Sequence, residues 1–166
     1  MIIGIGGVSN SGKSSLAKKI GDLFPDRSVV IVCQDKFVFS EEQISKINNH
    51  TDWEAPSSID FKSFIDAIQI AAKEYQIVIA EGLLVFHDPQ VLKLFQKKIF
   101  ITLSEEAFYE RKVNDLRWGR EPEWYIKHIW NAYEKFGKIS PDEADLLMVD
   151  GEKPFEMGNI MNFLKK

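Results

Sequence analysis

Cysteine is almost absent from this chain of 166 residues, where Cys33 stands alone. A single thiol excludes an intrachain disulfide and any metal site built from several cysteines. It fits a reducing compartment, so a cytoplasmic location is expected. An excess of positive charge is also lacking. Lys plus Arg number 21 and Asp plus Glu 25, a formal net charge of −4. The basic footprint of a general nucleic-acid binder is therefore missing, and no nucleic-acid partner is expected. No apolar run approaches the ~20 residues that cross a bilayer, so no membrane partner is expected. The opening MIIGIGGVSNSGKSS has no basic n-region and its apolar run breaks into glycines, which argues against a signal peptide. Internal repeats and low-complexity tracts are absent too.

What is present suits a globular fold. Hydrophobic residues make up 45% and charged residues 28%, enough for a core without staples, and the length predicts one domain over residues 1–166. Strand-like and helix-like segments alternate, the pattern of a parallel α/β sheet. Strands are predicted at Ile2–Gly6, Val29–Cys33, Ile77–Ala80, Ile99–Leu103 and Leu146–Val149. Helices are predicted at Lys13–Phe24, Asp60–Tyr75, Pro89–Phe95, from Glu105 onward, at Glu123–Phe136 and at Phe155–Leu164, with Asp60 as an N-cap. The strands are uniformly apolar, which predicts helices over both sheet faces. Two stretches break the pattern: polar, irregular Phe37–Ser58, and Leu116–Pro122 (LRWGREP). Excursions of this kind are often lids or binding loops, and otherwise plain surface connections.

Residues 7–14, GVSNSGKS, match G-x-x-x-x-G-K-[ST] in full, between a predicted strand and a predicted helix. The spacing has a chemical reason. Backbone N–H groups turn inward around a phosphate, and Gly7 and Gly12 permit dihedrals that a Cβ would obstruct. Lys13 places a point charge on the β- and γ-phosphates, and Ser14 offers a hard oxygen to Mg²⁺. The helix N-terminus adds a fixed positive field. No N-K-x-D guanine-specificity run occurs, so ATP is the expected nucleotide.

In open parallel sheets, ligands gather beyond the carboxyl ends of the strands. Asp35 follows one strand and Glu81 another, so three strand ends are expected to converge. Asp35 suits the task of accepting a hydroxyl proton and approaching Mg²⁺, and Glu81 that of an acid near the metal. Either acid would otherwise simply cap a following turn.

The ordered set G-V-S-N-S-G-K-S-S, V-C-Q-D-K-F, D-W-E-A-P and I-A-E-G-L-L-V-F resembles the uridine kinase-like P-loop kinases. Within them it is most similar to the nicotinamide riboside kinases. The resemblance covers most of the chain, including Arg117 and the H-I-W segment at His128–Trp130. It implies a five-stranded parallel sheet in nucleoside-monophosphate-kinase topology, flanked by helices, with a short lid at about 116–122 and an acceptor-binding excursion at about 37–58.

By this resemblance, Gly7, Val8, Ser9, Asn10, Ser11, Gly12, Lys13, Ser14 and Ser15 hold ATP phosphates. Asp35 is the general base, with Lys13 beside it in catalysis, and Ser14, Asp35 and Glu81 attend the metal. Asp35, Lys36, Phe37 and Val38, with Trp53 and Glu54, hold the nucleoside. Arg117 reaches the ribose, Trp118 offers a second wall and Arg120 meets the transferring phosphate. Asp150, Gly151 and Glu152 lie by the adenine. Three positions depart from the family. Lys36 stands where a second acid is common, and Trp53 and Glu54 stand where close relatives show Tyr and Asp.

The expected reaction is ATP-dependent phosphorylation of the 5′-hydroxyl of a small-molecule ribonucleoside, with nicotinamide riboside preferred by resemblance. A cationic pyridinium ring wants an aromatic face and nearby negative charge, which Trp53 and Glu54 offer. The alternatives are a uridine or cytidine kinase, a kinase of a non-nucleoside alcohol, and a non-catalytic ATP-binding module. A monomer is expected. His50 and His87 are read as solvated loop residues with a base hydrogen bond as the alternative, and Cys33 as a small core residue. Trp124, Tyr125, Trp130, Tyr133 and Phe136 are read as a packed helix face, and the Lys18-Lys19 and Lys97-Lys98 pairs as solvated surface. Because Lys13 faces phosphate rather than core, Lys13→Ala should abolish turnover while leaving the circular-dichroism spectrum and melting temperature close to wild type.

Overall fold

A computed structural model describes residues 1–117 and 119–166. Trp118, expected as a wall of the acceptor site, lies outside the described residues. Strands β1 (Ile2–Gly7), β2 (Val29–Cys33), β5 (Ile77–Glu81), β6 (Lys97–Thr102) and β7 (Leu146–Asp150) form one parallel sheet in the order β2-β5-β1-β6-β7. The chain leaves β1 for the β2 side, returns through β5, then crosses β1 to build β6 and β7. This reversal opens a crevice beyond the end of β1.

Period-two alternation divides the core. Ile3, Ile5, Ile77, Ile79, Ile99 and Ile101 meet α1 (Lys13–Asp22) and α6 (Met157–Leu164) through Leu16, Ile20, Ile160 and Leu164. Val78, Ala80 and Phe100 face the other way, onto a cluster holding Phe64 and Ile68 of α2 (Phe61–Glu74), Phe108 of α4 (Glu105–Val113) and Tyr125 of α5 (Glu123–Ala132). Gly4 and Gly6 point to this second face. A Cβ on either would come within 2.6 Å of the Phe86 ring, so their bareness makes room for the phenylalanines.

Helices cover both faces of the sheet, as expected. At the edge strands β2 and β7, Ile31 and Met148 remain exposed. Helix ends differ from the prediction. The predicted helix over Glu123–Phe136 stops being α-helical at Ala132 and continues as a π-helical turn, Tyr133–Gly137. The wider turn keeps Tyr133 stacked on Phe100 and brings Gly137 under the Leu83 carbonyl. The first helix ends at Asp22, where the Leu23 and Phe24 amides bond back to Ile20 and Gly21. Asp60 caps α2 as expected, accepting from the Ser63 amide at 2.9 Å. Asp88 likewise caps α3 (Pro89–Leu92).

The excursion expected to be irregular contains a small antiparallel hairpin, β3 (Lys46–Ile47) and β4 (His50–Thr51). Asn48 and Asn49 turn it with φ of 49° and 61°, conformations that asparagine tolerates. Lys97 and Lys98 are not solvated surface. Lys98 is 6% exposed, pairs with Glu143 at 3.3 Å and donates to the Ala144 carbonyl, while Lys97 bonds Asp145 at 2.6 Å. They pin the loop before β7 to the start of β6, far from the crevice. Among the described residues, no helix is long and apolar enough to cross a membrane.

Phe64 is fully buried and packs on Phe37 at 5.3 Å between ring centroids. Phe64→Ala should cost about 3–5 kcal/mol by urea denaturation, through lost transfer energy and the cavity left behind.

Candidate active site

The loop after β1 has the cradle geometry its glycines allow. Gly12 caps α1 with φ of 100°, and no side chain caps that helix. The first amides of α1 are thereby left free for an anion. Asn10 also takes a left-handed conformation, with φ of 62°. Lys13 folds back over the loop and donates to the Val8 carbonyl at 2.9 Å. Burial holds its ammonium below the ordinary lysine range, opposed by the charges of Glu81 and Asp35.

Glu81 ends β5, opposite Ile5 of β1 on one side and Cys33 of β2 on the other. It is 4% exposed, and a carboxylate so deep needs a donor. Ser14 supplies it, its hydroxyl donating to Oε1 at 2.9 Å. Asp35 lies one residue into the 3₁₀ turn that follows β2, Gln34–Lys36. Desolvation raises its carboxyl above the ordinary range, while Lys13 and Arg117 act against the rise. The same surroundings push the Cys33 thiol up to about 12, with desolvation first and Glu81 next. That matches an inert thiol rather than a nucleophile.

Mg²⁺ takes hard oxygens and commonly holds one or two protein ligands beside phosphate and water. The Ser14 hydroxyl against Glu81, with Asp35 near, is a donor set of that kind. Among the described residues, no group of three or more His, Cys, Asp or Glu forms an all-protein cage.

Arg117 is gripped by Asp115, with Nε and Nη2 each donating at 2.7 Å, and Nη2 also reaches Asn10 Oδ1 at 3.2 Å. This places Arg117 over the cradle. Arg120 is exposed. Behind them, Arg111 joins two loops, donating to Asn10 O at 3.3 Å and to Gly151 O at 2.8 Å. Gly151 packs so closely that a Cβ would stand 3.2 Å from the Ser11 carbonyl. Asp150 pairs with Lys153 at 2.8 Å, and Glu152 accepts from the Ser104 amide at 2.9 Å.

In the segment expected to hold the acceptor, Trp53 is 38% exposed and Glu54 is half-buried. Phe37 turns its ring onto Phe64, Val38 bridges Ile59 and Lys36 is exposed. Desolvation pushes the Glu54 carboxyl up to about 7, with Lys112 opposing and Asp35 adding to the rise. Lys112 is 6% exposed and faces Glu121 at 3.8 Å. It escaped the sequence reading, although it stands four residues after buried Phe108, on the inward face of α4. Asp52 escaped as well, because its partner His128 is 76 residues away. His50 is not a solvated loop residue: its ring lies 3.9 Å from that of Tyr125. His87 is exposed, with its ring between those of Phe61 and Phe136. A cavity of about 380 Å³ lies elsewhere, between Phe100, Leu103, Trp130, Tyr133 and Met148, and no residue of the cradle lines it.

No protein-family model matches the chain. Its homologues are nicotinamide riboside kinases and uridine kinase-like proteins. The chain is 28% identical over 173 residues to nicotinamide riboside kinase 1 of Homo sapiens, covering 93% of this chain and 86% of that protein. It is 23% identical over 181 residues to uridine kinase-like protein 4 of Arabidopsis thaliana, covering 90% of this chain and 38% of that longer protein. Among solved structures, a possible uridine kinase from Bacillus stearothermophilus superposes with a TM-score of 0.60 at 12% identity, covering 89% of this chain and 88% of that one. The fold is that of the P-loop kinases.

A Glu54 pKa near 7 makes a signed stability prediction. Between the ordinary glutamate value of 4.5 and about 7, the native state holds a proton that the unfolded chain releases. Stability from this group is complete at acid pH and falls as pH rises through that window. Glu54→Gln should therefore gain on wild type by ~1–3 kcal/mol at pH 8, and the gain should vanish by pH 4.5. Melting temperatures of both proteins across pH 4.5–8 measure it.

Proposed function

We propose that the chain is an ATP-dependent nucleoside kinase folded as one domain, with residues 116–122 as a lid and 37–58 as the acceptor-binding segment. The observation that carries this reading is the meeting of Lys13, Ser14 and Glu81 at the ends of β1 and β5, with Asp35 just past the neighbouring end of β2. A module that only binds nucleotide has no need of the last.

In the proposed reaction, the amides of Gly7–Ser15 and the Lys13 ammonium hold the phosphates. Ser14, with Glu81 and Asp35 beside it, would hold Mg²⁺, which when bound offsets phosphate charge. Asp35 orients the acceptor hydroxyl and takes its proton as the oxygen bonds to the γ-phosphorus. The bond from that phosphorus to the β-γ bridging oxygen breaks, and ADP leaves. Arg117 and Arg120 close over the transferring group, and Asp150, Gly151 and Glu152 flank the adenine.

For the acceptor we favour nicotinamide riboside, and the product would then feed NAD synthesis in the cytoplasm. Trp53 presents an exposed aromatic face, and the neighbouring Glu54, with Asp35 and Asp52 close enough to act on it, offers negative charge suited to a cationic ring. The named relatives include nicotinamide riboside kinases. Uridine or cytidine is the second reading, supported by the uridine kinase-like relatives.

An ATP-consumption screen over nicotinamide riboside, uridine, cytidine, adenosine, pantothenate and no acceptor tests the proposal. ADP should form only with a nucleoside, fastest with nicotinamide riboside, and hydrolysis indifferent to acceptor would overturn it. Asp35→Asn should lower kcat by ~10²–10⁴-fold with ATP affinity changed less than about tenfold. Single-turnover phosphorylation and calorimetry on one preparation read both quantities, and a variant as fast as wild type removes Asp35 from the reaction.

A further inference from the structure

The segment that carries Trp53 and Glu54 has little regular structure of its own, being a two-residue strand, His50–Thr51, followed by a turn. An aromatic side chain can recognise a ligand ring only if its backbone is held, because every freed dihedral must be ordered again on binding. Its fastenings come from α5, the helix that begins directly after Pro122. Tyr125, 1% exposed, accepts from the Trp53 amide at 3.3 Å and donates to the Thr51 carbonyl at 3.2 Å. One turn later, His128 Nε2 stands 2.7 Å from Asp52 Oδ1. A carboxylate only accepts, so this nitrogen carries the proton. The same Asp52 oxygen accepts from the Glu54 amide at 3.3 Å. On the far side, the Ser58 hydroxyl donates to the Trp53 carbonyl at 2.9 Å. The Trp53 backbone is thus tied at both its N–H and its C=O, yet the residue is left 38% exposed.

We propose that His128 is a positioning residue for acceptor recognition, holding Asp52 and through it the Trp53–Glu54 turn in the shape that receives the acceptor. The inference rests on the reading of Trp53 and Glu54 as the recognition pair. His128 touches neither ATP nor the reacting atoms in this scheme, and its effect passes through Asp52. A short hydrogen bond to a carboxylate is among the stronger polar contacts a side chain can make, so its loss should be felt mainly in binding of the acceptor.

His128→Ala should raise the acceptor KM about tenfold, with the ATP KM within twofold and kcat within threefold of wild type. His128→Gln keeps an N–H donor and should recover most of the loss. Asp52→Ala should raise the acceptor KM similarly, and the double variant His128→Ala with Asp52→Ala should be no worse than the poorer single one. Hydrogen exchange on the ligand-free protein gives a readout that needs no turnover. The Trp53 and Glu54 amides should exchange faster in His128→Ala, and those of Gly7–Ser14 at the wild-type rate. Unchanged exchange at Trp53 and Glu54 overturns the proposal. So does an acceptor KM within twofold of wild type, or an ATP KM that rises as much as the acceptor KM, on whichever acceptor the wild-type enzyme uses. Wild-type protein that phosphorylates no nucleoside defeats the functional reading separately, before any variant is compared.

Discussion

Parallel pairing of β5 between β1 and β2 decides where every group in the crevice can stand. Glu81 is level with Ile5 on one neighbour and Cys33 on the other. The three chains therefore reach the top of the sheet at one height, and the loop after β1 meets the turn after β2 across the end of β5. A slip of one residue would turn Glu81 to the opposite face, where it would have no serine to bond. The contact between Ser14 and Glu81 at 2.9 Å is thus both the partner of a buried charge and the fixed point of the site. The large isoleucines on one face and the bare Gly4 and Gly6 on the other hold that register by packing.

The site is a poor place for its own charges. Lys13 is pulled below its usual range, while Asp35 and Glu54 are raised, each mainly by loss of water. Among the described residues, buried Ser11 Oγ and Gln34 Nε2 also lack a hydrogen-bond partner. Asp35 nevertheless remains exposed and Lys13 and Glu54 half-buried, so a charged ligand that completes their burial would strengthen its own pairing with them. Burial alone does not mark function, however. Lys98 is as deep as Lys112, but it serves only to fasten Glu143 and the Ala144 carbonyl at the opposite end of the sheet.

Two sets of contacts join the parts that flank the cradle. Asn10 at its crown bonds Arg117 and Arg111, so the loop that would hold phosphate also touches the segment between α4 and α5. From the other end of that segment, α5 grips Thr51–Trp53 through Tyr125 and pairs with Asp52 through His128. The cradle and the Thr51–Trp53 segment are therefore fastened to the two ends of one stretch of chain, rooted in the buried face of the sheet.

Local chemistry was legible from the residues alone. The G-x-x-x-x-G-K-S spacing, the β-branched strands, the Asp60 cap and the acids one step past apolar runs each depend on neighbours along the chain, so composition and period reveal them. The same reasoning placed Asp35 and Glu81 at strand ends, and the sheet set those ends on adjacent strands. Other features rested on distant partners. Nothing near Lys98 says that Glu143 will meet it, and nothing near Asp52 says that His128 will. The edge positions of β2 and β7 follow from strand order, which hydropathy does not encode. The π turn after Ala132 exists because Tyr133 must reach Phe100 while Gly137 slips under Leu83, a compromise between two contacts made by other elements. Neighbours along the chain set which segments became the strands of the main sheet, the helices and the glycine loop, since those follow from local dihedral preference and periodic burial. Which charges meet, and which loop is fastened to which helix, was settled by folding, since a pairing energy exists only once both partners have been brought to the same place.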